Sequence, residues 1–232
     1  MPSIDYIIES NIKLSTRAKQ VCGMFDVPLN EKNKLQWKIE APIEDKKWNI
    51  GLIVGPSGSG KSTIGKHLYP DSINKKLIWN GNCVLDDFSN DITLEEITAA
   101  CSSVGFNTIP AWLRPYSVLS NGEKFRVEMA RRILEDKKII VVDEFTSVVD
   151  RQIAQIGSHA IQKYIRKMDK KFIALSCHYD IIEWLQPDWI IDPARQTFAW
   201  RSLRQRPKLK CEIKRVEYKY WKIFSKYHYM ST

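Results

Sequence analysis

Three short stretches of the chain are apolar almost throughout: IGLIV (50–54), the centre of KKIIVVD (137–143) and the centre of KFIALS (171–176). Runs of this length, separated by helical patterns, predict parallel strands covered on both faces. LQWKIE (35–40) differs, because Leu35, Trp37 and Ile39 alternate with polar neighbours at the period of a half-buried strand. An antiparallel element is therefore expected ahead of the central sheet. EKFRVEMARRILEDKK (123–138) repeats Phe125, Met129 and Ile133 at i, i+4 and i+8, with Val127, Ala130 and Leu134 beside them. That spacing predicts an amphipathic helix. RQIAQIGSHAIQKYIRKM (151–168) predicts a second, through Ile153, Ile156, Ala160, Ile161, Tyr164 and Ile165. The pattern as a whole is that of an α/β chain with a mostly parallel sheet flanked by helices.

Composition agrees with a folded chain: of 232 residues, 44% are hydrophobic and 27% charged, well away from the regime of disorder. The longest apolar runs fall far below the roughly 18 residues of a membrane helix, and the first residues, MPSIDYIIESNIK, carry acids where a signal peptide has a basic region. A cytoplasmic protein without membrane contact is expected. Five cysteines (Cys22, Cys83, Cys101, Cys177, Cys211) lie 61, 18, 76 and 34 positions apart, with no zinc spacing, and read as free thiols.

Charge changes the picture at one end. Residues 201–232 hold ten of the 36 basic residues against Glu212 and Glu217, a net of +8, whereas residues 1–200 carry only +1. The basic run also interleaves Tyr218, Tyr220, Trp221, Phe224, Tyr227 and Tyr229. Cations with stacking rings suit nucleic acid; the near-helical spacing of Ile213, Val216, Tyr220, Ile223 and Tyr227 equally suits packing on the body or on a further domain. Both readings stay open. The chain divides into a domain over 1–200 and a basic aromatic tail over 201–232.

GPSGSGKST (55–63) follows the first buried run and precedes a helical pattern, and it fits G-x-x-x-x-G-K-[ST]. Gly55, Pro56, Ser57, Gly58, Ser59 and Gly60 let the backbone curl so that its N–H groups face phosphates, and the next helix adds its positive end. Lys61 is expected to reach the β- and γ-phosphates of ATP, Ser62 to ligate Mg2+, and Thr63 to bond an oxygen on the α-phosphate side. KKIIVVDEF closes another buried run with Asp143 and Glu144, expected on opposite sides of the strand. Asp143 is placed to bind the same Mg2+, and Glu144 to polarise the attacking water.

Between these sites lies VLSNGEKFRVEMARRIL, where the chain resembles the ATP-binding cassette (ABC) ATPases and their signature Leu-Ser-Gly-Gly-Gln. Leu119, Ser120, Asn121, Gly122 and Glu123 occupy its positions, with Asn121 and Glu123 departing from the commonest form. Ser120, the Gly122 N–H and the helix start still compose an anion site. The resemblance implies a dimer in which this site meets the γ-phosphate bound by the opposite subunit. SVVD (147–150) resembles the D-loop, and His178, 34 residues beyond Glu144, the switch histidine. From Lys61 to Ser120 is only 59 residues, which implies a reduced helical subdomain. No glutamine lies between Gln36 and Gln152, so the Q-loop glutamine is missing, with Asn107, Asp86 or Asp87 as substitutes. Trp37 is the candidate to stack on adenine, with a core role as the alternative.

Longer stretches, SSVGFNTIPAWLRPYSVLSNGEKFR, VVDEFTSVVDRQIAQIGS and SCHYDIIEWLQPDWIIDP, look like soluble prokaryotic and phage ABC ATPases joined to a C-terminal acetyltransferase-like domain. The tail then resembles the entrance of that domain, too short for an acetyl-CoA site. The resulting expectation is a Mg-dependent ATPase acting as a homodimer and coupled to nucleic acid or to a fused domain. A nucleotide-gated binding module and a transporter subunit are the rivals.

Overall fold

The computed structural model describes residues 3–11, 15–26, 32–73, 77–136, 139–201 and 221. β1 (Ser3–Asn11) leads to α1 (Thr16–Met24), and β2 (Lys32–Glu40) returns antiparallel along β1, pairing Tyr6 with Trp37. β3 (Ile50–Val54) and α2 (Lys61–Leu68) flank the glycine-rich loop. α3 (Leu94–Ser103), the short α4 (Ile109–Trp112) and α5 (Asn121–Glu135) follow, then β4 (Ile139–Val142), α6 (Arg151–Lys167), β5 (Lys171–Ser176), α7 (Ile181–Leu185), β6 (Trp189–Asp192) and β7 (Thr197–Trp200).

The main sheet has the order β4-β5-β3-β6-β7, parallel except for β7 at its edge, and the β1–β2 ribbon is a separate two-stranded sheet. Every residue of β3 is buried, as a central strand covered on both faces requires. Alternate residues split between two cores. Leu52, Ala174 and Val142 join the layer of α3, α5, α6 and α7, while Ile53, Ile173, Leu175 and Val141 join that of α2 and the ribbon. The predicted strands and the two amphipathic helices lie where the periodicities put them.

Local chemistry starts the helices. Ser120 accepts from the Glu123 amide and Glu123 reaches back to the Ser120 amide, a capping box that begins α5. Asp150 accepts from Ile153 N at 2.9 Å and begins α6. Gly122 is buried where α5 meets α6, and a Cβ there would lie 2.8 Å from Ile153 Cδ1. Asp188, 9% exposed, holds the sheet and α6 together: it accepts from Asn49 N at 2.8 Å and Ile50 N at 2.9 Å, and both its oxygens take Arg166 Nη1 at 3.1 Å. Of the basic tail, only Arg201 and Trp221 are described, so the reading of 202–220 and 222–232 lies outside the described residues. No described helix is long and apolar enough to cross a membrane.

Candidate functional site

The glycine-rich loop starts at the C-terminal edge of β3, where Gly55 N donates to Ser176 O on β5 at 3.3 Å. It ends on Gly60, whose φ of +94° favours glycine, and a Cβ there would come within 2.3 Å of the Trp37 ring. Trp37 is 6% exposed and donates its indole N–H to Ser59 O at 3.0 Å. Its side chain is thus wedged under the loop, with the exposed Leu35 one step along the same face of β2. Lys61 folds its amine onto Gly55 O and Pro56 O, both at 2.8 Å. His67, further along α2, packs against Tyr6 with ring centroids 5.0 Å apart.

A cavity of about 410 Å³ opens over this loop. Its lining includes Ser57, Gly58, Gly60, Lys61, Ser62, Thr63, Asp143, Glu144 and Trp37, so those sequence-predicted residues share one space. Gly55, Pro56 and Ser59 belong to the loop without lining the cavity, and neither do His178, Ser120 or Gly122. Five lining residues were not among the predicted site residues: Ile8, Leu35, Phe145, Ser147 and Cys177. Leu35 was visible as the outer member of the row that holds Trp37. Cys177 sits directly before His178, and Ile8 is placed only by ribbon pairing, opposite Leu35.

The two acids need a correction. β4 ends at Val142, and Asp143 and Glu144 lie in a turn, not alternately along a strand. Asp143 Oδ1 accepts from Glu144 N at 2.9 Å, and Glu144 has φ +53°. Both carboxylates therefore line the same cavity. Thr146 follows with φ +66°, a costly conformation for a β-branched residue, buried and with Oγ1 lacking a protein partner. Phe145 N to Leu175 O at 2.8 Å and Ser147 N to Glu144 O at 2.9 Å hold the turn in place.

At the signature, Ser120 donates its hydroxyl to Glu123 Oε2 at 2.8 Å and its amide to the same oxygen at 2.9 Å. The Ser120 amide, then its hydroxyl, hold the Glu123 carboxyl below its ordinary range. Asp86 and Asp87 are committed elsewhere: Asp87 Oδ1 accepts from Asn80 N and Gly81 N, and Asp86 Oδ2 from Cys83 N. Neither they nor the exposed Asn107 line the cavity. Ser62 and Asp143 bring hydroxyl and carboxylate oxygens to one wall, the hard donors Mg2+ takes, so the residues present fit that ion.

A dimeric post-hydrolysis structure of the ATP-binding cassette MJ0796, bound to ADP and Pi, superposes with a TM-score of 0.52 at 15% identity, over 76% of this chain and 95% of that one. The chain has the fold of an ATP-binding cassette. No family model matches it. Among curated relatives, the probable peptide export ATP-binding protein YydI of Bacillus subtilis (strain 168) is 26% identical over 146 residues, 56% of this chain and 70% of YydI. The uncharacterized ABC transporter ATP-binding protein YfmM of the same strain is 26% identical over 211 residues, 82% of this chain. This chain spans only 37% of YfmM's length. Relatives and fold together support the ABC ATPase superfamily for this cassette.

Proposed function

We propose that the cassette binds and hydrolyses ATP at composite sites of a head-to-tail homodimer. The observation that carries this reading is the shared cavity: Lys61, Ser62, Asp143 and Glu144 line one space, while Ser120 and Gly122 start a helix outside it. A site built that way lacks an anion donor on one side, and a second copy's α5 start supplies one. Lys61 leaves the Gly55 and Pro56 carbonyls for the phosphates, and the amides of residues 57–63 enclose them. Ser62 and Asp143 hold Mg2+, which when bound neutralises phosphate charge. Glu144 accepts the proton of the attacking water, and His178 donates a hydrogen bond to the γ-phosphate.

ATP closes this dimer only as far as it binds the closed form more tightly, so closure does work on something attached. The basic aromatic tail supports a nucleic-acid partner, and the stretches resembling ATPases with an acetyltransferase-like domain support a fused one. The names of YydI and YfmM support a membrane transporter instead. Salt-dependent DNA binding that vanishes on deleting 201–232 selects the first; co-purification with an integral membrane protein selects the last.

Glu144→Gln tests the core of the reading. Turnover is expected to fall at least about 100-fold with ATP binding retained and the ATP-bound dimer accumulating in light scattering. In the wild type, specific activity rises with protein concentration. Unchanged turnover in the variant removes Glu144 from the reaction.

A further inference from the structure

The segment carrying His178 is tied down at three successive residues, and each tie leads to a different element. His178 N itself donates to Ser176 Oγ at the end of β5, at 3.1 Å. Tyr179 donates its hydroxyl to Asp192 Oδ2 at 2.9 Å. Asp192 is 5% exposed, and its other oxygen accepts the amides of Ala194 and Arg195 at 3.0 and 3.1 Å, so Tyr179 is fastened to a fixed point at the end of β6. Asp180 takes both ends of the Arg151 fork: Nε reaches Oδ2 at 3.1 Å and Nη2 reaches Oδ1.

The last pair is placed against local preference. Asp180 directly precedes α7, where an aspartate ordinarily accepts the first free amides of the helix, yet its side chain makes no capping bond. Its carboxylate goes to Arg151 instead. The Arg151 guanidinium also lies over the Trp184 ring, 4.7 Å from its centroid, a cation–π contact that adds to the hold on the fork. Arg151 is the first residue of α6, directly after Asp150, which caps that helix. Loop 147–150, the start of α6 and segment 178–180 are thereby one linked unit.

We propose that Arg151, Asp180 and Tyr179 are positioning residues that couple loop 147–150 to the segment of His178 and so fix where that histidine stands for the γ-phosphate. The proposal rests on the composite-site reading given above. A pair with side chains 39% and 44% exposed adds little to folding stability, so its effect belongs in turnover. Bidentate geometry is what the coupling uses, because a fork transmits rotation as well as distance, which a single point charge does not.

Steady-state ATP turnover of the full chain, with melting temperature and ATP affinity measured on the same samples, tests it. Arg151→Ala and Asp180→Ala are each expected to lower kcat about tenfold with KM for ATP within about twofold. The double variant falls no further than the worse single, because one link is broken in all three. Arg151→Lys keeps the charge, loses the fork and stays low; Tyr179→Phe, which keeps the ring, lowers kcat with melting unchanged. An active wild type whose single variants keep full kcat, or whose double variant loses the product of the two, overturns the coupling alone. A wild type without ATP turnover at any protein concentration overturns the underlying reading and the coupling with it.

Discussion

Trp37→Phe separates two jobs that one side chain could hold in this cassette, stacking on a base or supporting the loop that receives the phosphates. Phenylalanine keeps a ring and loses the indole N–H that Ser59 O accepts at 3.0 Å, together with the outer ring that lies against Gly60. The lost hydrogen bond is worth about 1 kcal/mol. The trimmed ring of a residue only 6% exposed adds roughly as much again. A total of about 2 kcal/mol lowers the melting temperature of a chain this size by about 4–8 °C. Freeing the Ser59 carbonyl also loosens the loop before any ligand arrives, and ordering it then costs about 1 kcal/mol, a factor of about five in affinity. Loop support predicts that ATP and inorganic tripolyphosphate weaken by the same factor in calorimetric titration. Base stacking predicts that tripolyphosphate binding is untouched. Unchanged melting with a loss confined to ATP refutes the loop-support argument.

Asp188→Ala strips acceptors from the Asn49 and Ile50 amides and the carboxylate from Arg166, which keeps the Gln186 carbonyl. It is expected to cost about 3–5 kcal/mol in urea denaturation, more than Arg166→Ala, which leaves the amides satisfied. Glu96, Glu123 and Asp169 all have folded-state pKa values below their ordinary ones. The Thr93 amide is the first cause for Glu96, the Ser120 amide for Glu123 and the Lys47 ammonium for Asp169. Depressed carboxylate values contribute stability above the unfolded pKa that is lost as pH falls through the folded one. The melting temperature is therefore expected to hold near neutrality and to fall as pH drops below about 4.5, less steeply in a Glu96→Gln, Glu123→Gln, Asp169→Asn variant.

Order along the chain was legible wherever short-range physics decides it. The apolar runs at 50–54 and 171–176, the alternation of Leu35, Trp37 and Ile39, and the stripes of α5 and α6 each report burial through the local period of one element. GPSGSGKST was legible for the same reason: a strand, a glycine-rich turn and a helix start are all local, and they put Lys61 and Ser62 at one mouth. Tertiary structure alone decided what joins residues far apart. The strand order β4-β5-β3-β6-β7, and the addition of β6 and β7, depend on pairings that no single segment encodes. Asp188 meets Asn49 across 139 positions, and Tyr179 finds Asp192 only once β6 is laid beside β3. The same holds for the acids: Asp143 and Glu144 read as strand ends locally, but a turn with φ +53° at Glu144, fastened to β5, brings both carboxylates to one cavity. The residue types that do chemistry were visible in the sequence, and their mutual geometry came from long-range packing, which fixes backbone conformations against local preference where enough neighbours agree.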